Sequence, residues 1–227
     1  MIACQENHTF DQYFGYYPRA GALGVPKNYS QSDGKGGRVA PHHSRFHVPS
    51  DISHHWQDVH REWDNGKMDG FVINGGTAAV GYYDGQDLPY YYALANNFTL
   101  CGNYFCYQLG PTLPNRIALW TGTSGGITVN RRLANGSLDF PTILDLLEEH
   151  HISWKCYNLG AVLGNIPELA FLNPLPFFKR WYRDHRLYYH ENDYYNDLKA
   201  GTLPQVSFLI ADPLASEHPY TDIEWGQ

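Results

Sequence analysis

The chain has 227 residues and a formal charge of −7 with histidine neutral; 43% of it is hydrophobic, 15% aromatic and 17% charged. That apolar content supports a packed core and excludes a disordered chain, and no apolar run approaches the roughly 20 residues of a membrane-spanning helix. The acidic balance, with no block of Lys or Arg, argues against a nucleic-acid partner.

Residues 2–4 are an apolar stub that runs into Gln5-Glu6-Asn7 and reads as the end of a buried strand whose beginning is missing. Residues 18–49 are loop-like, rich in Gly, Pro, Ser and His. A short helix is predicted over 51–63, with His54, His55 and Trp56 near its start. Asp87-Leu88-Pro89 predicts a helix over 90–97 with Asp87 as N-cap and proline in the first turn. The aromatic stretch 99–107 predicts a strand, closed by the Gly110-Pro111 break. A second helix starts within 112–115, carries Ile117, Leu119 and Trp120, and stops at Gly122. Gly125-Gly126 and Asn135-Gly136 predict a hairpin or paired turns.

Residues 142–151 predict an amphipathic helix, with Ile143, Leu146 and Leu147 inward and Glu148 and Glu149 outward. A strand over 152–157, an irregular stretch over 160–176, renewed order over 177–181, a helix over 193–199 stopped by Gly201, and a strand over 206–211 complete the order. Strands alternating with helices predict an α/β fold with a mainly parallel sheet.

The chain has 18 Tyr and 12 His. Titrating every histidine moves the formal charge from −7 to +5, so mild acid reverses the sign of the surface field. For His42, His43, His47, His150, His151 and His190 the expectation is a solvated loop residue. Cys4, Cys101, Cys106 and Cys156 match no common zinc spacing and read as buried free thiols, with a disulfide open to an exported protein. Met1-Ile2-Ala3-Cys4 has neither the basic start nor the apolar stretch of a signal peptide.

Three features carry chemistry. Glu6-Asn7 stands beyond the carboxyl end of a predicted strand, where ligand sites of open α/β sheets lie, and offers hard oxygens to a divalent cation; a cap or turn is the plainer reading. In the run 109–115, LGPTLPN, the Gly-Pro break puts the Thr112 hydroxyl at a helix N-terminus, an anion site. Thr112 is a nucleophile there if a metal lowers its pKa, or simply a cap. His54, before Trp56, and His218, in Ser216-Glu217-His218-Pro219, stand where an imidazole can meet a phosphate oxygen or protonate a leaving group.

Together these stretches resemble a known group. The run 5–15, QENHTFDQYFG, looks like the opening signature of the bacterial phosphoesterase family, which holds phospholipases C and a group of acid phosphatases. GKMDGFV over 66–72, DLPYYYALANNFTLCGNYFC leading into LGPTLPNR and LWTGT over 87–123, and SEHP over 216–219 are similar to it as well. So are ISWK over 152–155, FFKRW over 177–181 and GTLPQVS over 201–207.

The resemblance implies an alkaline-phosphatase-like α/β fold, incomplete at both ends, with residues 1–227 forming the N-terminal and central part of one phosphoesterase domain. It implies metal-assisted hydrolysis of phosphate esters, phospholipid or soluble monoester, with a divalent ion of unstated identity held by Glu6, Asn7 and Thr112. By position Thr112 and His218 are the catalytic residues, and Asn115 and His54 bind substrate. A periplasmic or secreted home and a transient contact with a lipid surface are implied too.

Two departures stand out. Position 8 is His where the family more often has Arg, which is expected to matter little beside the motif. The downstream acidic D-E-H-G-G-like segment is missing, so weak metal binding and little turnover are expected of these residues alone. The aromatic clusters Tyr90-Tyr91-Tyr92 and Phe177-Phe178 suit either a lipid approach or core packing. A different class, a non-catalytic carbohydrate- or lipid-binding module stacking Tyr and Trp on its ligand, fits the same composition.

Overall fold

The computed structural model describes residues 1–45, 47, 50–159 and 172–227. In chain order its elements are β1 (Ile2–Ala3), α1 (Phe10–Phe14), β2 (Gln31–Ser32), β3 (Arg38–Val39), β4 (His42–His43), α2 (Trp56–Trp63), α3 (Phe71–Gly75) and β5 (Gly81–Tyr82). There follow α4 (Pro89–Asn97), α5 (Thr112–Thr121), α6 (Ile143–Glu149), β6 (Trp154–Asn158), β7 (Tyr189–His190), α7 (Glu191–Ala200), β8 (Val206–Ile210) and α8 (Ile223–Gly226). The chain divides into two compact units, Met1–Cys4 with Cys106–Pro213, and Gln5–Phe105 with Leu214–Gln227.

The first unit is α/β. Its sheet has the order β1-β8-β6-β7 with every pair parallel, and β6 and β8 share the longest register, from Trp154↔Val206 to Asn158↔Ile210. Helices flank this sheet, as expected of the fold class. Ile117 and Trp120 of α5 and Leu144 and Leu147 of α6 join Phe208 and Ile210 in one buried cluster. Phe177 and Phe178 belong to the same cluster, so this aromatic pair is core rather than lipid-facing. Burying such side chains contributes about 1.5–3 kcal/mol each. The stub at 2–4 does form a strand, but as the exposed edge of the sheet rather than a buried member.

The local signals explain most boundaries. Gly122 takes the left-handed conformation (φ 74°) that ends α5, and Gly201 does the same for α7 (φ 68°). Thr142 opens α6 with a capping box: its N–H donates to Asp145 Oδ2 at 2.7 Å and its hydroxyl to the same oxygen at 2.9 Å. This start sets which face turns inward. Leu144 and Leu147 are buried while Ile143 and Leu146 are exposed, so the expected inward face is corrected. Glu148, expected outward, accepts hydrogen bonds from the Trp154 indole and Arg186.

The second unit is built around tyrosines. Tyr13, Tyr17, Tyr83, Leu88, Tyr92 and Ile223 form its buried cluster, which accounts for part of the high tyrosine content. Their hydroxyls need partners when buried: Tyr17 donates to Asn96 Oδ1 at 2.9 Å and Tyr92 to the Tyr13 carbonyl at 3.2 Å. Two small ladders, β2 with β3 antiparallel and β4 with β5 parallel, complete this unit.

Several expectations change. The helix predicted from 51 begins at Trp56, leaving His54 in the extended segment before it. Leu88, not Asp87, is the N-cap of α4, because the Asp87 carboxylate is taken up by the Asp84 N–H and His43. No strand pairs with 99–107 among the described residues, and Phe98, Tyr104 and Phe105 are exposed. The glycines at 125, 126 and 136 adopt positive φ in turns, the second of the two forms expected there; no hairpin forms among the described residues, and Leu138 makes a parallel bridge to Phe178. Residues 160–171 of the expected irregular stretch lie outside the described residues. The four cysteines are free, yet only Cys156 is buried; Cys101 and Cys106 are exposed.

Replacing Thr142 with alanine removes the cap and the acceptor for the Trp181 indole N–H, 3.0 Å away in the core. Thr142→Ala should cost about 1–3 kcal/mol of stability, read as a lowered midpoint in urea unfolding with an unchanged slope.

Candidate functional site

In the second unit the residues after β1 are held against the C-terminal segment. The Glu6 N–H donates to the Ser216 carbonyl at 3.0 Å, and the Gln5 side chain donates to the carbonyls of Ala215 and Gly226. Glu6 is buried, and Asn7 sits in the left-handed region (φ 59°), which an asparagine tolerates better than most residues. The Asn7 Nδ2 is buried and has no hydrogen-bond partner among the described residues. A buried, unsatisfied donor costs about 1–3 kcal/mol, and an oxygen-bearing ligand would satisfy it.

Glu217, only 1% exposed, anchors the same segment. Tyr13 donates to Glu217 Oε2 at 2.6 Å, and the Tyr91 hydroxyl donates to Oε1. Burial, reinforced by this carboxylate, pushes both phenols far above their ordinary pKa, so they remain donors. Glu217 itself has a left-handed backbone (φ 64°), an uncommon conformation for a glutamate that persists where surroundings enforce it. A Cβ on Gly226 would lie 2.0 Å from Glu217 Cγ, so only glycine allows this approach.

His8 completes the arrangement. Its Nε2 lies 2.7 Å from the Glu217 carbonyl, its Nδ1 lies 2.8 Å from the Gln12 side-chain amide, and its ring stacks on Tyr13 at 4.6 Å. Desolvation by burial holds its pKa below the usual histidine value despite the hydrogen bonds to Gln12 and Glu217. His8, expected to matter little beside the motif, is a structural link between the Glu6-Asn7 motif and the Ser216–His218 segment. The signal available in sequence was its place in a motif, with no hint of its partner 209 residues away.

His54 and His218 meet, with ring centroids 6.0 Å apart and planes at 73°. Each turns Nδ1 to a backbone carbonyl, His54 to Ile52 at 3.1 Å and His218 to Pro219 at 3.0 Å. In a neutral ring this places the hydrogen on Nδ1 and the lone pair on Nε2. Buried Glu62, absent from the sequence expectations, accepts from Asn74 at 2.9 Å. Desolvation raises its carboxyl pKa, with nearby His54 acting in the opposite direction.

Thr112 and Asn115 lie in the first unit. Thr112 is the first residue of α5, with Pro111 in the cap position, and it does not cap the helix through its side chain. Among the described residues its half-buried hydroxyl has no hydrogen-bond partner. The next N–H, of Leu113, donates to Asn130 Oδ1 at 2.8 Å. The Asn115 amide brackets the preceding turn: Nδ2 donates toward the carbonyls of Gln108, Gly110 and Pro111, and Oδ1 accepts from the Gln108 N–H at 3.0 Å. Buried Arg116 donates to the Cys4 carbonyl at 3.1 Å, tying α5 to the end of the β1 segment.

The expected metal donors, a Glu6 carboxylate, the Asn7 amide oxygen and the Thr112 hydroxyl, are all hard oxygens of the kind magnesium or calcium takes. The orphaned Asn7 Nδ2 fits an added acceptor such as a phosphoryl oxygen. Two further groups hold ligand atoms within 4.8 Å of one another: His43 with Asp84 and Asp87, and His47 with Asp222 and Glu224. His43 and His47 are therefore not simply solvated loop residues. An open depression of about 470 Å³ beside α2, lined by Trp56, His60 and Arg61 among others, contains none of the expected site residues.

The profile of the Phosphoesterase family matches residues 1–227. The chain belongs to that family. It is 29% identical to a non-hemolytic phospholipase C of Burkholderia pseudomallei over 100% of this chain and 39% of that protein. It is 31% identical to a non-hemolytic phospholipase C of Pseudomonas aeruginosa over 96% of this chain and 36% of the relative, and 27% identical to phospholipase C A of Mycobacterium tuberculosis over 100% and 51%. The chain thus spans about half, or less, of the length of these curated relatives. No helix among the described residues is long and apolar enough to cross a membrane.

The His8 shift has a sign. The folded state resists protonation of His8, so the unfolded state binds more protons below about pH 6.5, the ordinary imidazole value. Unfolding free energy should therefore fall as pH drops through that value and on toward the lower folded pKa. His8→Gln should flatten this dependence in urea titrations run at a series of pH values.

Proposed function

We propose that the chain carries the machinery of a phosphoric ester hydrolase of the phospholipase C type, with Thr112 as the nucleophile. The observation that carries this reading is an unengaged Thr112 hydroxyl at the N-terminus of a ten-residue helix, in a chain whose family match spans its whole length. The relatives named phospholipase C favour a phospholipid substrate over a soluble monoester.

In the proposed reaction the Thr112 alkoxide attacks phosphorus in line and the ester P–O bond breaks, giving a phospho-threonine and an alcohol; hydrolysis of the phospho-threonine returns the alkoxide. The positive end of the α5 dipole stabilises the charge that develops on the equatorial oxygens. His218, protonated at Nε2, gives its proton to the departing alkoxide; as the neutral base it then takes one from the water that releases phosphate. The Asn7 amide donates to a phosphoryl oxygen, and so does His54 when its ring is protonated at Nε2. Asn115 presents Thr112 by bracing the turn, and can meet a phosphoryl oxygen by giving up one of its backbone acceptors. Glu6, Asn7 and Thr112 would hold a divalent cation, which would lower the hydroxyl pKa and polarise the phosphoryl group. Secretion or export to the periplasm, with transient contact at a lipid surface, accords with the same relatives.

Thr112→Ala should abolish turnover of phosphatidylcholine vesicles and of p-nitrophenyl phosphate while leaving the circular dichroism spectrum unchanged; surviving turnover would remove Thr112 from its role. Inorganic phosphate should raise the melting temperature of the unaltered chain, and an oligosaccharide giving the same rise in its place would favour the binding-module reading.

A further inference from the structure

The second unit carries a histidine–carboxylate group that the hydrolytic reading leaves unused. β4 and β5 run parallel with His43 opposite Tyr82, which brings His43 alongside the turn from 83 to 88. His43 Nε2 lies 2.8 Å from Asp87 Oδ2 and 3.9 Å from Asp84 Oδ2. With bonds of about 2.0–2.1 Å, ligand atoms around a tetrahedral ion stand about 3.3 Å apart, and these two spacings bracket that edge.

The ligands are already oriented. Asp87 is 8% exposed, and its Oδ2 accepts the Asp84 N–H at 2.8 Å. Asp84 uses Oδ1 to accept the Gln86 N–H at 2.8 Å, while its Oδ2 faces His43. Behind them, His47 Nε2 stands 3.4 Å from Asp87 Oδ1 and its Nδ1 stands 2.9 Å from Glu224 Oε1. A carboxylate whose far oxygen is met by a second, supported histidine has the outer layer that steadies metal ligands. Among the described residues no Lys or Arg pairs with Asp84, Asp87, Asp222 or Glu224; only the two imidazoles meet this local negative charge.

We propose that His43, Asp84 and Asp87 chelate a divalent first-row transition ion of the zinc type, at a site separate from Glu6, Asn7 and Thr112. One imidazole nitrogen with two carboxylate oxygens selects such an ion over calcium, which prefers six to eight oxygens. The bound ion takes the place of the direct His43–Asp87 contact, and it cross-links β4 to the residues that lead into α4. Since the site shares no residue with the proposed hydrolytic group, either can fail without the other.

The test is calorimetric titration of Zn²⁺ and Ca²⁺ into the chain in a Cys101→Ser/Cys106→Ser background, which removes the exposed thiols as competing ligands. Zinc should bind and calcium should not compete. His43→Ala and Asp84→Asn, at half-exposed side chains, should each weaken zinc by at least about tenfold, whereas Glu6→Gln should leave it unchanged. Cobalt in place of zinc should give a visible absorption band that His43→Ala removes. Absence of zinc uptake, uptake indifferent to His43→Ala and Asp84→Asn, or uptake abolished by Glu6→Gln would each overturn the assignment.

Discussion

A buried carboxylate without a lysine or arginine partner organises the second unit. Glu217 is nearly inaccessible, and among the described residues only two phenols donate to its side chain. Leaving such a charge unsolvated would be far more costly than ordering the donors. Tyr13 on α1 and Tyr91 on α4 are therefore fixed relative to the C-terminal segment, and His8 is fixed with them through the Glu217 carbonyl. The segment that carries this carboxylate also receives the Glu6 N–H and presents His218 to His54. The donors that this carboxylate requires thus set the positions of three of the residues assigned a role in hydrolysis, Glu6, His54 and His218.

The first unit uses a different logic. Its parallel sheet is held by apolar packing, and polar contacts fix how the chain enters α5. Arg116 joins the helix to the Cys4 carbonyl, while the Asn115 amide and Asn130 govern how the chain enters it. These contacts leave the Thr112 hydroxyl free of any capping duty. A hydroxyl spared from structure, at the positive end of a helix, is available for chemistry, which is why the reading of Thr112 rests on what its neighbours do instead of it.

The tyrosine and histidine content acquires physical meaning in the second unit. Tyrosines form its core because a phenol brings both apolar area and a donor, and buried carboxylate and carbonyl groups there need donors. Histidines divide by environment: His8 is kept neutral by burial, His54 and His218 are oriented by carbonyls, and His43 and His47 face carboxylates. Composition alone treats these as one population.

What the sequence determined by itself is local or shared with relatives. The glycine stops of α5 and α7, the start of the helix at 142, the β6–β8 strands and the motif runs depend on neighbours within a few residues, so they were legible. The tertiary structure decided everything that turns on distant partners: the inward face of α6, the loss of Asp87 as a cap to His43, and the unpaired state of 99–107. It also decided the meeting of His54 with His218 and the Glu217 anchor, whose partners lie 126 and 204 residues away. A hydrogen bond or a buried face is fixed by which atoms come within a few ångströms, and over such sequence separations only the folded backbone brings them there.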